Sequence, residues 1–374
     1  MGLYVHFPWC VKKCPYCDFN SHPLGDDLPE ADYTDALIAD WHAQQRNRAE
    51  RQISSVFFGG GTPSLFHPES FARLLDVIRP ALTNDAEVTM EANPGTLEYG
   101  NLADYRAAGI NRLSMGVQSF NDGALSALGR IHSGQEAMVA IKAAQQAGFN
   151  NLNIDLMHGL PEQTSDIALH DLHTAISSGV SHISWYQLTI EPRTEFAKRP
   201  PPLPDENILG DIESKGLELL AKSGFYRYEV SAYARNEKYS RHNRNYWEFG
   251  DYLGIGAGAH GKLSTRSQDN RLTIVRTAQP RQPRLYLQQA EAGSWQLQTR
   301  VVTDAELPSE FMMNALRLFG GVDQAAFSVR TGLESEQIAQ ILEKWRRMGC
   351  MQDDRIALTP LGINALDTIV ADFI

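Results

Sequence analysis

Cysteine is scarce in this chain and long apolar runs are missing. Only four of the 374 residues are Cys, too few for the disulfide framework of a small secreted protein. No stretch approaches the ~20 apolar residues needed to cross a bilayer. The start, Met1-Gly2-Leu3-Tyr4-Val5-His6, shows neither the basic region nor the apolar core of a secretory signal, so a cytoplasmic location is expected. Positive charge is in the minority. The 34 Lys and Arg against 45 Asp and Glu leave a net charge of −11, which argues against a broad grip on nucleic acid. A hydrophobic share of 43% with 21% charged residues excludes wholesale disorder, and 374 residues suit two or three domains.

What is present is a concentration of those few cysteines. Cys10, Cys14 and Cys17 lie within eight residues, whereas Cys350 is near the far end and reads as a small buried hydrophobe. Three adjacent thiolates point to metal. Zinc completed by a distant His or Cys is the plainer alternative, but Cys-x3-Cys-x2-Cys departs from the paired hooks usual for zinc. Iron–sulfur clusters are held by cysteine thiolates, and three close ones would hold three of four irons.

Through the first half, short β-branched and aromatic runs alternate with helical patterns. Strands are expected near Leu3–Phe7, Ile53–Phe58, Glu87–Glu91, Arg112–Gly116, Asn151–Leu156 and His182–Leu188, several apolar throughout like buried parallel strands. Tyr33, Leu37, Ile38 and Trp41 share one helical face, as do Phe71, Leu74, Leu75 and Ile78. Six βα units in about 190 residues suggest a partial barrel, because eight units usually need ~250. The polar and glycine-rich residues follow the strands: Gly59-Gly60-Gly61-Thr62-Pro63, Glu91-Ala92-Asn93, Gly116-Val117-Gln118-Ser119, Asp155 and Gln187. Singly, the glycines read as a permissive turn, Glu91 and Asp155 as solvated carboxylates or caps, and Gln118 as a buried amide. Their joint arrival at strand ends, on the active face of βα barrels, marks a site.

A proline-rich segment, Pro192 to Pro204, ends the barrel, and a helix is expected over Asp205–Ser223 with Ile208, Ile212, Leu219 and Leu220 near its apolar side. Beyond it lie His242-Asn243-Arg244-Asn245-Tyr246-Trp247 and a literal G-x-G-x-x-G from Gly256 to Gly261. No helix pattern follows the glycines, so a dinucleotide fingerprint is rejected. The span from about Arg266 to Trp295 is polar and less periodic. From Asp304, helices followed by a short hairpin (Cys350–Gln352 and Ile356–Leu358) resemble a winged helix, with one basic cluster, Lys344-Trp345-Arg346-Arg347. A packing or protein-contact role fits that unit better than DNA. The expected domains are residues 1–204, 205–303 and 304–374.

The run Tyr4 to Cys17 resembles the cluster motif of radical S-adenosylmethionine enzymes. Gly59–Pro63, Glu91–Gly95, Gly116–Phe120, Gly129-Arg130 and Asp155 resemble more narrowly the oxygen-independent coproporphyrinogen III oxidase family. The resemblance implies an α/β fold, a partial (β/α)6 barrel with an α+β extension and a small carboxyl-terminal winged-helix-like domain. It implies a 4Fe–4S cluster on Cys10, Cys14 and Cys17. It also implies S-adenosylmethionine beside Tyr4, Tyr16, Gly60, Gly61, Thr62, Glu91, Gln118, Arg130 and Asp155. The oxidases carry a further cysteine two residues after the third ligand, where this chain has Phe19, and they have an amino-terminal extension. Both departures, with the His-Asn-x-x-Tyr-Trp signature at His242–Trp247, resemble the HemW-type haem chaperones. That group implies haem as cargo, a haem-requiring recipient, an electron donor if S-adenosylmethionine is cleaved, and no porphyrinogen decarboxylation. His242 is the expected haem ligand, and His260 is the alternative.

Overall fold

The computed structural model describes residues 1–25, 27–48, 50–99 and 102–374. Among them, six parallel strands follow the expected order: β1 Gly2–Phe7, β2 Ile53–Gly60, β3 Leu82–Ala92, β4 Arg112–Gln118, β5 Leu152–His158 and β6 His182–Gln187. Their outward side chains (Val5, Val56, Phe58, Met90, Leu113, Ile154 and Ile183 among them) are buried under helices, which is why these strands read as continuous apolar runs. Helices α1 Glu30–Gln44 and α2 Pro68–Ile78 cover β1 and β2 with the two faces read from the sequence, Ile38 being only partly buried. Pro68 opens α2 at its first turn. Gly109 and Gly148, with φ of +118° and +86°, follow Leu102–Ala108 and Gly134–Gln146 and return the chain to the sheet.

The sheet does not stop at the sixth unit. The later strands are β7 Tyr226–Glu229, β8 Ala232–Ala234, β9 Tyr252–Ile255, β10 His260–Arg266, β11 Leu272–Ala278 and β12 Gln298–Val301. They extend it at both edges, giving the order β12-β11-β10-β9-β1-β2-β3-β4-β5-β6-β8-β7. β9 pairs parallel with β1, so seven strands run parallel rather than six, and β8 pairs antiparallel with β6. The border expected near residue 204 therefore cuts through one sheet, and Ile212, Leu220, Tyr233, Leu253 and Leu263 share its core. The span read as aperiodic holds β11 and the helix Pro283–Glu291. Their polar faces hid a period that packing alone makes visible.

On Glu206–Lys222, Asp205 caps the amino terminus, Ile212 and Leu220 are buried, and Ile208 is exposed. The carboxyl-terminal residues build a second core around Phe311, Phe327, Leu342 and Trp345, with Cys350 buried in it. The expected hairpin is reduced to one bridge, Met351 to Leu358, while Arg355–Ile356 pairs with Val322–Asp323. Lys344 and the Trp345 indole both bond Asp372 (2.5 and 2.8 Å), tying part of the basic cluster to its own unit.

Candidate functional site

At the carboxyl ends of β1 to β6 lies a cavity of about 570 Å³. Cys10, Cys14 and Cys17 line one wall, and Tyr16, Gly60, Gly61, Thr62, Glu91, Gln118, Arg130 and Asp155 line the rest. The structure thus brings eleven of the thirteen expected site residues together at the cavity wall, leaving Tyr4 and His242 apart. Tyr4 does not line this cavity. Its hydroxyl bonds His6 Nδ1 (3.0 Å) and its ring stacks on Phe57, so it props the end of β1 rather than facing the open space.

Each cluster cysteine meets a hydroxyl or a guanidinium. Thr62 Oγ1 donates to Cys10 Sγ (3.4 Å), Arg130 Nη1 to Cys14 Sγ (3.7 Å), and Ser21 Oγ lies 3.8 Å from Cys17 Sγ. Burial pushes the Cys10 and Cys17 thiols up from their ordinary range. Such half-desolvated sulfurs ionise when a metal takes the proton's place. Among the described residues, no three His, Cys, Asp or Glu side chains close on a single ion. Three free cysteines on one cavity wall are the donor type that iron–sulfur clusters use.

The glycines work by letting backbones touch. Gly61 N donates to Phe7 O (2.6 Å) and Thr62 N to Trp9 O (2.7 Å). A Cβ on Gly61 would stand 2.4 Å from Trp9 O, and one on Gly60, whose φ is +113°, 2.3 Å from the His6 ring. Gly61 lines the cavity and also makes room for the chain that carries Cys10. Gly60 N donates instead to Glu91 Oε2 (3.0 Å).

The far wall is acidic and polar. Burial, then repulsion from Asp155, raises the Glu91 carboxyl to about 7. Asp155 is also raised by burial, against hydrogen bonds from Asn153 (2.8 Å) and Ser114 (3.3 Å). Gln118 sits at a register shift in β4 with φ of +70°. This costly conformation turns its amide toward the cavity, where Oε1 accepts from the Tyr186 hydroxyl (2.9 Å). Arg130 Nη2 is fixed on Gly116 O (2.5 Å), and its buried Nε has no partner among the described residues. A positive group at one end, paired carboxylates at the other and a narrow glycine edge fit a zwitterionic nucleoside.

Sequence reasoning missed Tyr186, Ser114 and Ser21. Tyr186 lies one residue before Gln187 at the end of β6, so the strand-end rule that found Gln118 would have reached it. Ser21 had no local signal, because the turn after Cys17 alone brings it back to the cysteine.

His242 is elsewhere. It sits on α-helix Arg241–Trp247, which packs under the opposite end of β2. It is 1% exposed and stacks on Phe57 at 5.1 Å. Ser55 Oγ holds Nδ1 (3.0 Å) and the Tyr246 hydroxyl holds Nε2 (2.8 Å). Burial, then Arg112, lowers its pKa to about 3. Both ring nitrogens are engaged inside the protein, so this geometry offers no open site for haem iron.

A family model described as the Radical SAM superfamily matches residues 4–173, and one described as the HemN C-terminal domain matches residues 302–364. The chain is 47% identical over 346 residues to "Heme chaperone HemW" of Escherichia coli (strain K12), covering 92% of this chain and 89% of that protein. The Haemophilus influenzae protein of the same name is 47% identical over 344 residues, covering 90% and 88%. "Radical S-adenosyl methionine domain-containing protein 1, mitochondrial" of Bos taurus is 41% identical over 269 residues, 70% of this chain and 60% of that one. The structure of the Escherichia coli coproporphyrinogen III oxidase HemN, described as a radical SAM enzyme, superposes with a TM-score of 0.81 at 24% identity, covering 100% and 89%. That likeness speaks for a mixed α/β fold with a parallel sheet. The identities to the two bacterial proteins extend over nine-tenths of the chain, and it therefore belongs to the HemW family within the radical SAM superfamily.

Proposed function

We propose that this protein is a haem chaperone that carries a 4Fe–4S cluster and S-adenosylmethionine. The observation that supports it most is the near-full-length identity to proteins named heme chaperones, joined to a cavity with three free cysteines on one wall. In this reading Cys10, Cys14 and Cys17 would hold the cluster, and S-adenosylmethionine would take the rest of the cavity. Thr62 and Arg130 donate to the cysteine sulfurs, Gln118 and Tyr186 shape the cavity wall, and Glu91 and Asp155 would offer carboxylate acceptors to a nucleoside. When bound, the cluster supplies an electron that can cleave the sulfonium. Haem is the cargo, handed to a haem-requiring protein. No helix among the described residues is long and apolar enough to cross a membrane.

A radical enzyme acting on a tetrapyrrole is the second reading, favoured by the fold alone. Phe19 stands where the oxidases resembled here have a further cysteine, and it is 64% exposed. Anaerobic cluster reconstitution, followed by a haem titration and a coproporphyrinogen turnover assay, separates the two. Haem binding without protoporphyrinogen is expected; protoporphyrinogen formation with a competent reductant overturns the chaperone assignment. Cys14→Ser should abolish the cluster absorbance and bound iron.

A further inference from the structure

With His242 closed, the chaperone reading lacks an iron ligand, and the remaining histidines narrow the choice. His6 and His182 also have both ring nitrogens engaged, His132 and His158 are buried, and His22, half-buried beside the cysteine loop, has its Nε2 closed off from solvent. His67 pairs with Glu30, and His42 bonds Gln45. His170 and His173 stand on the open face of helix Ser165–Ser177. His260 differs from all of these. It is exposed, yet it begins β10 directly after a turn that is fixed at several points.

That turn is unusually well anchored. Gly256 N donates to the buried Asp40 carboxylate (3.1 Å) and Ala257 N to the Tyr33 hydroxyl (2.9 Å). Gln279 N, on the paired strand's continuation, donates to Ala259 O (2.9 Å), and its side chain reaches Asp40 (2.8 Å). Asn20 then joins the turn to the cysteine loop, donating to Ala257 O (3.1 Å) and to Arg281 O (3.0 Å). The exposed aromatic Phe19 is its neighbour in sequence. Asn20 thus ties the backbone of the turn before His260 and the backbone of Arg281 to the loop that carries Cys17 and Phe19, and the Arg281 charge acts on the His260 imidazole.

We propose that haem docks on this surface, with His260 as the iron ligand, Arg281 facing a propionate and Phe19 against the macrocycle. This rests on the chaperone reading above and names its cargo site. Haem is flat and apolar with two carboxylates at one edge, and this surface offers the matching elements. An imidazole ligates through a neutral ring nitrogen. Burial, then Arg281 and Arg276, lowers the pKa of His260 and so favours that form. A ligand on an open edge, rather than inside a closed pocket, also suits cargo that must leave.

The test is an anaerobic titration of the cluster-loaded protein with ferrous haem, read at the Soret band. His260→Ala should shift the band and weaken binding at least tenfold, and added free imidazole should restore the wild-type spectrum. Arg281→Gln should weaken binding several-fold with the band unmoved. An unchanged band and affinity in His260→Ala, with wild type still binding haem, overturns the site and leaves the chaperone reading standing. A wild-type protein that binds no haem overturns both. Normal iron content in His260→Ala shows that the variant is folded.

Discussion

Arg130 donates to the sulfur of Cys14 at 3.7 Å while its other terminal nitrogen is fixed on Gly116 O, so a residue distant in sequence is held against the cysteine loop by the end of β4. Thr62 and Ser21 stand in the same relation to Cys10 and Cys17. Hydrogen bonds to cluster sulfurs stabilise the reduced, more negative state and raise its potential. Thr62→Val and Ser21→Ala should therefore move the cluster midpoint to more negative values without loss of iron. Potentiometry followed by electron paramagnetic resonance reads this, and an unchanged midpoint in both variants removes the tuning role.

Gly61→Val tests whether the glycine serves the ligand or the strand. Its Cβ would meet Trp9 O at 2.4 Å, so the change should destabilise the fold by roughly 1–3 kcal/mol, in the range of overpacking, and displace Cys10. Iron content should fall together with S-adenosylmethionine binding. A variant with full iron and impaired binding would return Gly61 to the ligand.

Glu91 carries a pH dependence with a definite sign. Its carboxyl is raised from 4.5 to about 7, so the protonated form is the one the fold favours. Its contribution is full below the ordinary value and is lost as pH rises through about 7. Relative to wild type, ligand-free Glu91→Gln should gain roughly 1–2 kcal/mol between about pH 5 and pH 8. Denaturant unfolding at the two pH values measures it, and a pH-independent difference rules it out.

His242 should behave as a structural residue. Removing its ring leaves Ser55 and Tyr246 without partners and opens a hole beside Phe57. His242→Ala should cost on the order of 2–4 kcal/mol, and Tyr246→Phe about 1 kcal/mol. If either variant binds haem with a displaced Soret band at wild-type stability, His242 is a ligand after all.

The sequence by itself determined the repeating βα units and the end of the sheet that carries the chemistry. Apolar runs bounded by glycine and polar residues leave a parallel strand little choice of face, and the residue after each strand lands on one rim. That logic reached Cys10, Glu91, Gln118 and Asp155 without coordinates, while Arg130 came only from the family resemblance. Tertiary structure alone decided what pairs across distance. Tyr252–Ile255 is four residues long and takes its place beside β1 only because that edge is open. Ser21 reaches Cys17 through a turn whose shape depends on Asn20, the 256–261 turn and Arg281. The fate of His242 was equally hidden. Its neighbours in sequence, Asn243 and Asn245, leave its ring nitrogens to Ser55 and Tyr246. An imidazole is a ligand or a packed core residue according to what stands against its nitrogens, and Ser55 is 187 residues away.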